Sequence, residues 1–482
     1  MKEFGLYALD ILSSKKVTYG DIRIISTKDQ NIVIRNGQAE FNSKRSSLGF
    51  GIRVFYDGAW GFAASYDLSK KSIGRIAEKA IGIAKESSRY KKSKVVLSPY
   101  DACDTADFVS PYKLNPFDIS EEEKLALLIG ASLSMKTDPK ILYGISNASF
   151  REEDKLFMST HGQEIRQRFV QTGAGITAIA FHEGEVAKRS YPASFGGDFR
   201  NAGWEFVKEL DLQGKGPVIA GEAVELLTAP GVPHTNTTLV LEGSQLALQI
   251  HESCGHPTEL DRVLGFERTL AGTSFLTLDK LYDLKYGSDI VNITSDATNT
   301  AALGGFAYDD EGIPAQCSFL VKDGLFVGYQ TSRETAPVIG QCSNGCMRAD
   351  GYHNIPLIRM TSINLLPGEH SFESIISEVE DGFYFALNKS WSIDDKRLNF
   401  QFGCEIAWEI KKGKLGKIFK NPSYTGITPE FWGSCDAIGS AEHYRIWGIP
   451  NCGKGEPSQT ARVSHGASFA RFRNVEVGVS QW

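Results

Sequence analysis

The residues most able to do chemistry lie between Ser244 and Asp261, in the segment SQLALQIHESCGHPTELD. Two of the nine histidines of the chain, His251 and His256, stand there five positions apart, and Glu252 directly follows the first. These are the groups of a zinc hydrolase, in which neutral imidazoles hold the metal and a carboxylate takes a proton from the water that the metal activates. The segment therefore predicts a metal-dependent hydrolytic centre.

The spacing of the two histidines sets a condition on the helix that carries them. Zinc proteases commonly place their histidines at i and i+4, on one helix face. At about 100° per residue, side chains at i and i+5 point about 140° apart, too far to share one ion. The motif thus requires a π-type turn, or a helix that ends between the histidines. Gly255 and Pro257 favour such a disturbance. The alternative is a buried helix that happens to carry two histidines.

A catalytic zinc ion usually has three protein ligands, so one ligand remains to be found. The candidates are cysteine, histidine and glutamate side chains in the motif or in the C-terminal segment: Cys254, Glu259, Cys435, His443, Cys452 and His465. Cys452 lies in GIPNCGKGEPSQ, where glycines and prolines predict a tight loop that could present a thiolate to a metal. The alternative for this residue is a buried, inert cysteine, which is the usual state of a free cysteine.

Two further patterns resemble metal sites more weakly. Cys342 and Cys346 form a C-x3-C pair, but no second pair follows at the spacing of a structural zinc site. The acidic run from Asp309 to Glu311 could bind Ca²⁺ or Mg²⁺, yet it lacks the ligand spacing of an EF-hand. We expect a solvated turn there.

Composition limits the class of protein. The chain has 482 residues, of which 41% are hydrophobic and 23% charged, as in ordinary globular proteins. The net charge of −6 argues against a nucleic-acid partner. No apolar run is long enough for a membrane-spanning helix, so no membrane association is expected. The N-terminus lacks the apolar core of a signal peptide, and eight scattered cysteines suggest free thiols; both features predict a cytoplasmic protein.

Hydrophobic periodicity predicts an N-terminal α+β domain over residues 1–230 with an antiparallel sheet. Ser120 and Glu123 form a capping box at the start of one helix. The predicted helices span 4–13, 68–88, 119–135, 202–211 and 218–228. The predicted strands span 22–26, 31–35, 48–55, 142–149, 156–160, 165–172 and 175–183, and a polar, irregular link covers 89–117.

Pro230 and Pro233 mark a boundary, after which residues 231–482 are expected to form a β-rich domain that carries the metal-site helix. A strand over 237–242 leads into this helix, with Ser244 as its expected N-cap. Residues 257–288 are polar and could form a lid. Other predicted strands span 290–294, 318–321, 325–328, 399–410 and 414–419, and a short helix spans 371–379. The fold class is therefore α+β.

Several segments taken together resemble the TldD/PmbA family, once called modulators of DNA gyrase. They are HESCGHPTELD, YDDEG, RADGYHNIPLIRMTSINLLPGE, PNCGKGEPSQ and SLGFGIRVFYDGAWGFAAS, and they extend over nearly the whole chain. The His-Glu-x-x-x-His motif is typical of the TldD-like branch, which consists of zinc metallopeptidases, whereas the TldE/PmbA-like branch lacks it. The resemblance implies that His251, His256 and Cys452 bind Zn²⁺ and that Glu252 is the general base.

The resemblance also implies what the protein acts on and with. Extended, unfolded peptides would enter a closed cleft between subunits and lie along a strand edge, with broad specificity because backbone hydrogen bonds provide most of the affinity. The chain would form a homodimer, or a heterodimer with a TldE/PmbA-like subunit.

The hypothesis from the sequence is a zinc-dependent metallopeptidase with slow turnover, since a thiolate ligand weakens the metal as a Lewis acid. Two alternatives remain open. One is a small-molecule or modified-peptide amidase that uses the same zinc site. The other is a non-catalytic peptide-binding protein in which the histidines are structural. Nothing in the sequence indicates a contact with DNA gyrase.

Overall fold

A computed structural model describes residues 1–90, 95–99, 105–269 and 271–479. Cys103 and parts of the predicted link 89–117 lie outside the described residues. Strands make up 44% of the protein and helices 24%. The predicted α+β class is confirmed. None of the helices within the described ranges is long and apolar enough to cross a bilayer.

The N-terminal half combines long strands with helices that pack on them. Its elements are α1 (Lys2–Ser14), β1 (Tyr19–Arg35), β2 (Gln38–Tyr56), β3 (Ala59–Ser65), α2 (Lys70–Tyr90), β4 (Thr105–Val109), α3 (Glu121–Ser134), β5 (Ile141–Ser159), β6 (Glu164–His182), β7 (Glu185–Tyr191), β8 (Asp198–Asn201), α4 (Trp204–Glu209) and α5 (Leu212–Leu226).

One large sheet organises this half. Its strand order is β3-β2-β1-β5-β6-β4, and β7 and β8 also pair with β6. Every pairing is antiparallel except that of β4 with β6, so the predicted antiparallel sheet is confirmed. Predicted strands 22–26 and 31–35 are one continuous strand, and β4 lies where an irregular link was expected. The capping box is confirmed at its N-cap, where the Ser120 side chain accepts a hydrogen bond from the Glu123 N–H.

The C-terminal half is rich in strands. Its elements are β9 (Thr235–Leu241), α6 (Gly243–Ile250), α7 (Leu260–Val263), β10 (Ile293–Asp296), β11 (Cys317–Lys322), β12 (Leu325–Phe326), β13 (Met347–Arg348), β14 (Leu357–Ile358), β15 (Ser362–Leu365), α8 (Phe372–Ser377), β16 (Asp381–Ile393), β17 (Asn399–Lys411), β18 (Lys414–Lys420), β19 (Pro422–Ile427), α9 (Thr428–Gly433), β20 (Cys435–Ile438), β21 (Arg445–Lys454), β22 (Gln459–Ala467) and β23 (Ala470–Val479).

Two sheets hold the site helix α6 between them. The first has the order β12-β11-β10-β15-β22-β21. The second has the order β16-β9-β23-β19-β17-β18, and β16 also pairs with β17, which closes the path on itself. The largest apolar core contains residues of both sheets together with Leu246, Ile250 and Cys254. The helix is therefore fixed by burial of its apolar positions.

The start of α6 differs from the prediction. The N-cap is Glu242, whose carboxylate accepts hydrogen bonds from the Gln245 N–H and from the Ser244 hydroxyl. The expected N-cap Ser244 is wrong. The helix begins at Gly243, so the N-cap is the residue before it, Glu242. The described positions of residues 257–288 are largely irregular and contain only short helices. That they form a lid stays a prediction, as does the domain boundary at residue 230.

The acidic run before Gly312 is buried, so the expectation of a solvated turn is wrong. Asp310 pairs with Lys155 of β5 at 2.7 Å. Glu311 pairs with Arg53 of β2 at 3.1 Å. The run therefore joins the N-terminal sheet to the C-terminal half through buried ion pairs. The charged partners lie more than 150 positions earlier in the chain, which local sequence could not indicate.

Candidate metal centre

The helix that carries the histidines widens where the spacing requires it. After α6, residues His251–Gly255 form a π-helical turn, and His256–Thr258 continue as a 3-10 turn. The ring centroids of His251 and His256 consequently lie 4.9 Å apart. Gly255 has ordinary helical backbone angles, so its role is in packing: a Cβ atom there would collide with the sulfur of buried Met360. Of the two disturbances that the spacing allowed, a π-type turn or a helix end between the histidines, the structure has the π-type turn.

The third metal-binding side chain comes from the far end of the sequence. Strand β21 brings Cys452 against the histidines, with its Sγ 3.6 Å from Nε2 of His256. Potential ligand atoms of His251, His256 and Cys452 all lie within 4.8 Å of one another, and the three residues are buried. Cys452 lies on a strand, so the expectation of a tight loop was wrong, although the residue still reaches the histidines.

The other candidate ligands lie elsewhere or have another role. Burial raises the pKa of the Cys254 thiol to about 12, and this residue belongs to the apolar core. Cys435 is also buried in that core, whereas His443 is exposed. Cys342 is exposed and Cys346 buried; within the described ranges neither joins a group of three metal-binding side chains. Glu259 and His465 contact the Nδ1 atoms of the two histidines, on the side of each ring that faces away from the cluster.

His465 determines which nitrogen of His251 faces the cluster. Its Nε2 lies 2.7 Å from Nδ1 of His251, and its Nδ1 lies 3.3 Å from the carbonyl oxygen of Ile363. A carbonyl only accepts, so Nδ1 of His465 carries the proton and its Nε2 accepts from His251. Burial and the neighbouring His251 hold the pKa of His465 well below its ordinary value, which keeps it neutral. His251 is left with a free lone pair on Nε2.

His256 is oriented by a buried carboxylate. Its Nδ1 lies 2.9 Å from Oε2 of Glu259, and the same oxygen lies 3.3 Å from Nζ of Lys454. Lys454 also pairs with Asp261 at 2.7 Å. Burial alone would raise the pKa of Glu259, but Lys454 and His256 outweigh it and hold the pKa well below its usual range. The ionised carboxylate accepts the Nδ1 proton of His256, so Nε2 faces Cys452.

The environment of Cys452 favours its thiolate. Burial would raise the pKa of this thiol, but His256 and Arg359 outweigh that effect and lower the pKa. The guanidinium of Arg359 also donates hydrogen bonds to the backbone carbonyls of Cys452 and Gln459. Two neutral imidazole nitrogens and one thiolate suit zinc, which accepts nitrogen and sulfur ligands and keeps a fourth position open in catalytic sites.

Glu252 places a carboxylate beside these groups. Burial would raise its pKa, but His251, His256 and Arg397 together hold the pKa below its ordinary value, so the side chain is ionised. Arg397, from the turn between β16 and β17, lies 2.7 Å from Oε2 of Glu252. Sequence reasoning missed Arg397, Arg359 and Lys454, because each comes from a segment far from the motif and carries no local signal.

Family models match almost the whole chain. The descriptions of these models are PmbA/TldA metallopeptidase domain 1 for residues 20–84, the central domain for residues 114–229, and the C-terminal domain for residues 234–478. Fold, site and matches define the protein as a metallopeptidase. More particularly, the chain belongs to the PmbA/TldD family, as its sequence motifs suggested.

Individual relatives extend over the same length. A metalloprotease of Methanothermobacter thermautotrophicus is 29% identical, with 98% of each chain aligned. A metalloprotease TldD homolog of Haemophilus influenzae is 26% identical over 98% of this chain and 95% of its own. A zinc metalloprotease TldD homolog of Saccharolobus solfataricus is 22% identical over 96% of each. The crystal structure of TldE from Thermococcus kodakarensis shares the fold, with a TM-score of 0.74, 18% identity and 99% of each chain covered.

Proposed function

We propose that this metallopeptidase is zinc-dependent and hydrolyses extended or unfolded peptides with broad specificity. His251, His256 and Cys452 would hold the zinc ion, and Glu252 would act as general base. The observation that carries the proposal is the convergence of two imidazoles and a thiolate within 4.8 Å, with an ionised carboxylate next to them in the chain. The zinc metalloprotease of Saccharolobus solfataricus supports the choice of metal.

Zinc bound by this set would lower the pKa of a water molecule and polarise the scissile carbonyl. Glu252 would accept the proton of that water and pass it to the leaving amine. Behind the ligands, His465 and Glu259 hold the two imidazoles with Nε2 turned toward the site. The thiolate of Cys452 adds negative charge, so we expect slower turnover than with a third histidine.

The substrates follow from the peptidase class. An extended peptide that pairs through its backbone gives affinity with little dependence on side chains. We propose that a second subunit closes the cleft, either another copy of this chain or a TldE/PmbA-like chain; the likeness to TldE in fold supports the second option. Light scattering of the purified chain, alone and mixed with such a subunit, tests this point. The described cysteines are free thiols, which suits the reducing cytoplasm.

The metal site can be tested by elemental analysis of protein purified without added metal. We expect about one zinc ion per wild-type chain and a strongly reduced content in Cys452→Ser. Cys317→Ser changes an exposed cysteine and serves as the matched control, because it should keep its zinc. Full zinc content in Cys452→Ser would move the third ligand to another residue.

The role of Glu252 can be tested with Glu252→Gln, which keeps the shape of the side chain but cannot accept the proton. We expect an unchanged zinc content and a fall in peptide cleavage by about 10²–10⁴-fold. Glu225→Gln, at an exposed position of α5, is the control and should cleave normally. A zinc-loaded Glu252→Gln protein with full activity would remove Glu252 from this role.

A further inference from the structure

A cavity of about 330 Å³ lies between the N-terminal sheet and β22. Four cationic side chains line it: Arg151, Lys155, Arg348 and Arg462. We call this cavity the arginine pocket. It is separate from the metal cluster described above, and the proposed reaction gives it no role.

The carboxylates in the wall of the arginine pocket already have hydrogen-bond donors. Each accepts from a side chain or from backbone N–H groups: Asp309 from the N–H of Glu311, Ile313 and Met347; Asp310 from Lys155 and the N–H of Ala349; Glu153 from Arg151; and Asp350 from the N–H of Thr460. Two of the four cations, Arg151 and Lys155, are thereby paired.

Arg348 and Arg462 have no such partner. Among the described residues Arg462 makes no hydrogen bond or ion pair, although Asp29, Glu153 and Asp350 are close enough to attract it. Arg348 donates to the carbonyl of Met360 at 3.0 Å and has no ion pair within the described part of the chain. Both side chains are half-buried. Within the described part of the chain, the pocket therefore contains two guanidinium groups that form no ion pair, although carboxylates such as Glu153 are near enough to attract both.

Such groups are costly to hold in a cavity when no carboxylate pairs with them directly. Burial and the neighbouring Arg151 lower the pKa of Arg462 to about 10. Burial and Arg359 lower the pKa of Arg348 to about 10 as well. An anion bound in the pocket would offset these effects on each guanidinium group and supply charge-assisted hydrogen bonds. Guanidinium groups match the two oxygens of a carboxylate especially well.

The arginine pocket lies next to the metal cluster. Ala461, in its wall, pairs directly across the β21–β22 ladder with Cys452, and the next side chain, Arg462, leaves the opposite face of β22. Directly opposite residues in such a ladder have Cα atoms about 4.5–5.5 Å apart. Met360, which binds Arg348, also packs beside Gly255 of the π-helical turn. A peptide residue advances about 3.4 Å in an extended chain, so a group a few residues from the scissile bond could reach the pocket.

We propose that the arginine pocket binds a carboxylate group of the peptide substrate through Arg348 and Arg462. This inference rests on the proposed peptidase function, and it adds a preference for peptides with a carboxylate a few residues from the cleaved bond. An unmodified peptide offers carboxylates from two sources, its C-terminus and its aspartate or glutamate side chains. The experiment distinguishes these sources.

The test compares dissociation constants of three labelled peptides that share one sequence. The first has a free C-terminus and a glutamine, the second a C-terminal amide and the same glutamine, and the third a C-terminal amide and glutamate instead. Zinc-loaded Glu252→Gln protein is the host, so that no peptide is consumed. We expect the first or the third peptide to bind about tenfold more tightly than the neutral second one.

Substitutions in the same host assign the preference to the pocket. Arg462→Gln should remove the difference between charged and neutral peptides and leave the neutral peptide unchanged, and Arg348→Gln should act in the same direction. Arg462→Lys keeps the positive charge but lacks the planar guanidinium group that binds both oxygens of a carboxylate. It should show part of the affinity difference that Arg462→Gln loses. Arg75→Gln removes the same charge from an exposed position of α2 and should keep the full difference.

Each outcome has a defined meaning. A preference for the first peptide identifies the C-terminal carboxylate, and a preference for the third identifies an acidic side chain; both support the proposal. Equal binding of all three peptides overturns it, and so does an Arg462→Gln protein that loses affinity for all of them alike. Cleavage of the neutral peptide by wild type tests the peptidase function separately, because it does not need the pocket. A protein that cleaves nothing yet binds carboxylates through Arg462 would refute only the peptidase function.

Discussion

Arg397 Nη1 lies 2.7 Å from Oε2 of Glu252, so the proposed general base is paired with a cation from another part of the chain. The arginine comes from the turn between β16 and β17. Burial would raise the pKa of Glu252, but the two neighbouring histidines and the charge of Arg397 keep this pKa below its ordinary value. The pair ensures that Glu252 is ionised, but it also makes this carboxylate a weaker base.

Replacing Arg397 should therefore change the pH dependence of catalysis. Glu252 accepts a proton only when ionised, so activity should fall as the pH drops through its pKa. Removal of a nearby positive charge raises that pKa. We expect the acidic limb of the kcat/KM profile of Arg397→Gln to move to higher pH. The measurement is peptide cleavage by zinc-loaded protein across the acidic range.

The matched control for Arg397 is its neighbour Lys396, an exposed residue in the same hairpin. Lys396→Gln removes one positive charge without touching Glu252, so its acidic limb should coincide with that of wild type. An unchanged limb in Arg397→Gln would contradict an electrostatic effect of this arginine on the general base.

His465 should affect metal affinity without binding the metal. His465→Leu leaves the Nδ1–H of His251 without its acceptor, so the imidazole loses both its orientation and part of its basicity. Loss of such a partner typically weakens metal binding by about 10–100-fold. Competition against a chromogenic zinc chelator measures the change. His465→Gln offers an amide oxygen as acceptor and should lose less, and His443→Leu at an exposed site should lose nothing. Equal affinities for wild type and His465→Leu would refute the role.

Local sequence predicted the π-helical turn, because the separation of His251 and His256 and the presence of Gly255 are properties of adjacent residues. Cys452 is different. Two hundred positions separate it from His251, and only the pairing of β21 with β22 brings it to the histidines. The resemblance to the family implies that Cys452 is the third ligand, whereas spacing alone does not choose among several candidate residues.

The sequence predicted only some of the residues that contact the metal-binding histidines and hold them in place. The chemistry of Glu259 and His465 makes both of them candidate metal ligands, whereas the structure places them against the outer nitrogens of the histidines. Lys454 gave no signal, since a lysine is expected at the surface and its burial depends on Glu259 and Asp261. The N-cap of α6 differs from the prediction because serine is a preferred N-cap residue, which favours Ser244, and because the exact first residue of a helix is poorly determined by pattern.

Gly255 should be intolerant of even a methyl group. A Cβ atom at this position would meet the sulfur of Met360, which is fully buried and has little room to move. We expect Gly255→Ala to lower the free energy of unfolding by about 1–3 kcal/mol, as overpacking typically does, and to reduce zinc content because the π-helical turn is displaced. Urea unfolding and elemental analysis measure the two effects.

Gly221 in α5 provides the control for Gly255. A Cβ atom there would have open space around it. Alanine in place of a helical glycine usually stabilises by about 0.5–1 kcal/mol, so Gly221→Ala should gain stability and keep its zinc. A Gly255→Ala protein with wild-type stability and zinc content would show that Met360 adjusts without cost.

Asp310 should make the stability of the protein depend on pH. Burial would raise its pKa, but Lys155 and Arg23 outweigh burial and hold the pKa below the ordinary value of 3.8. A carboxyl group whose pKa is lower in the folded state stabilises that state above its unfolded pKa, and this stabilisation is lost as the pH falls through the folded value. Asp310→Asn lacks the charge at every pH and leaves Lys155 buried without its partner.

The expected difference in unfolding free energy between wild type and Asp310→Asn is about 3–5 kcal/mol at neutral pH. It should shrink below pH 3.8, because the carboxyl of the unfolded wild-type chain then takes up protons, whereas the folded carboxyl, with its lower pKa, stays ionised until the pH falls further. Denaturant unfolding at pH 7, 5 and 3 measures this convergence. Asp289→Asn breaks an exposed pair with Lys285 and should have a small effect at all three values. A difference that stays constant from pH 7 to pH 3 would mean that Asp310 stabilises the fold through its shape and neutral hydrogen bonds, and that its charge does not join the N-terminal sheet to the C-terminal half.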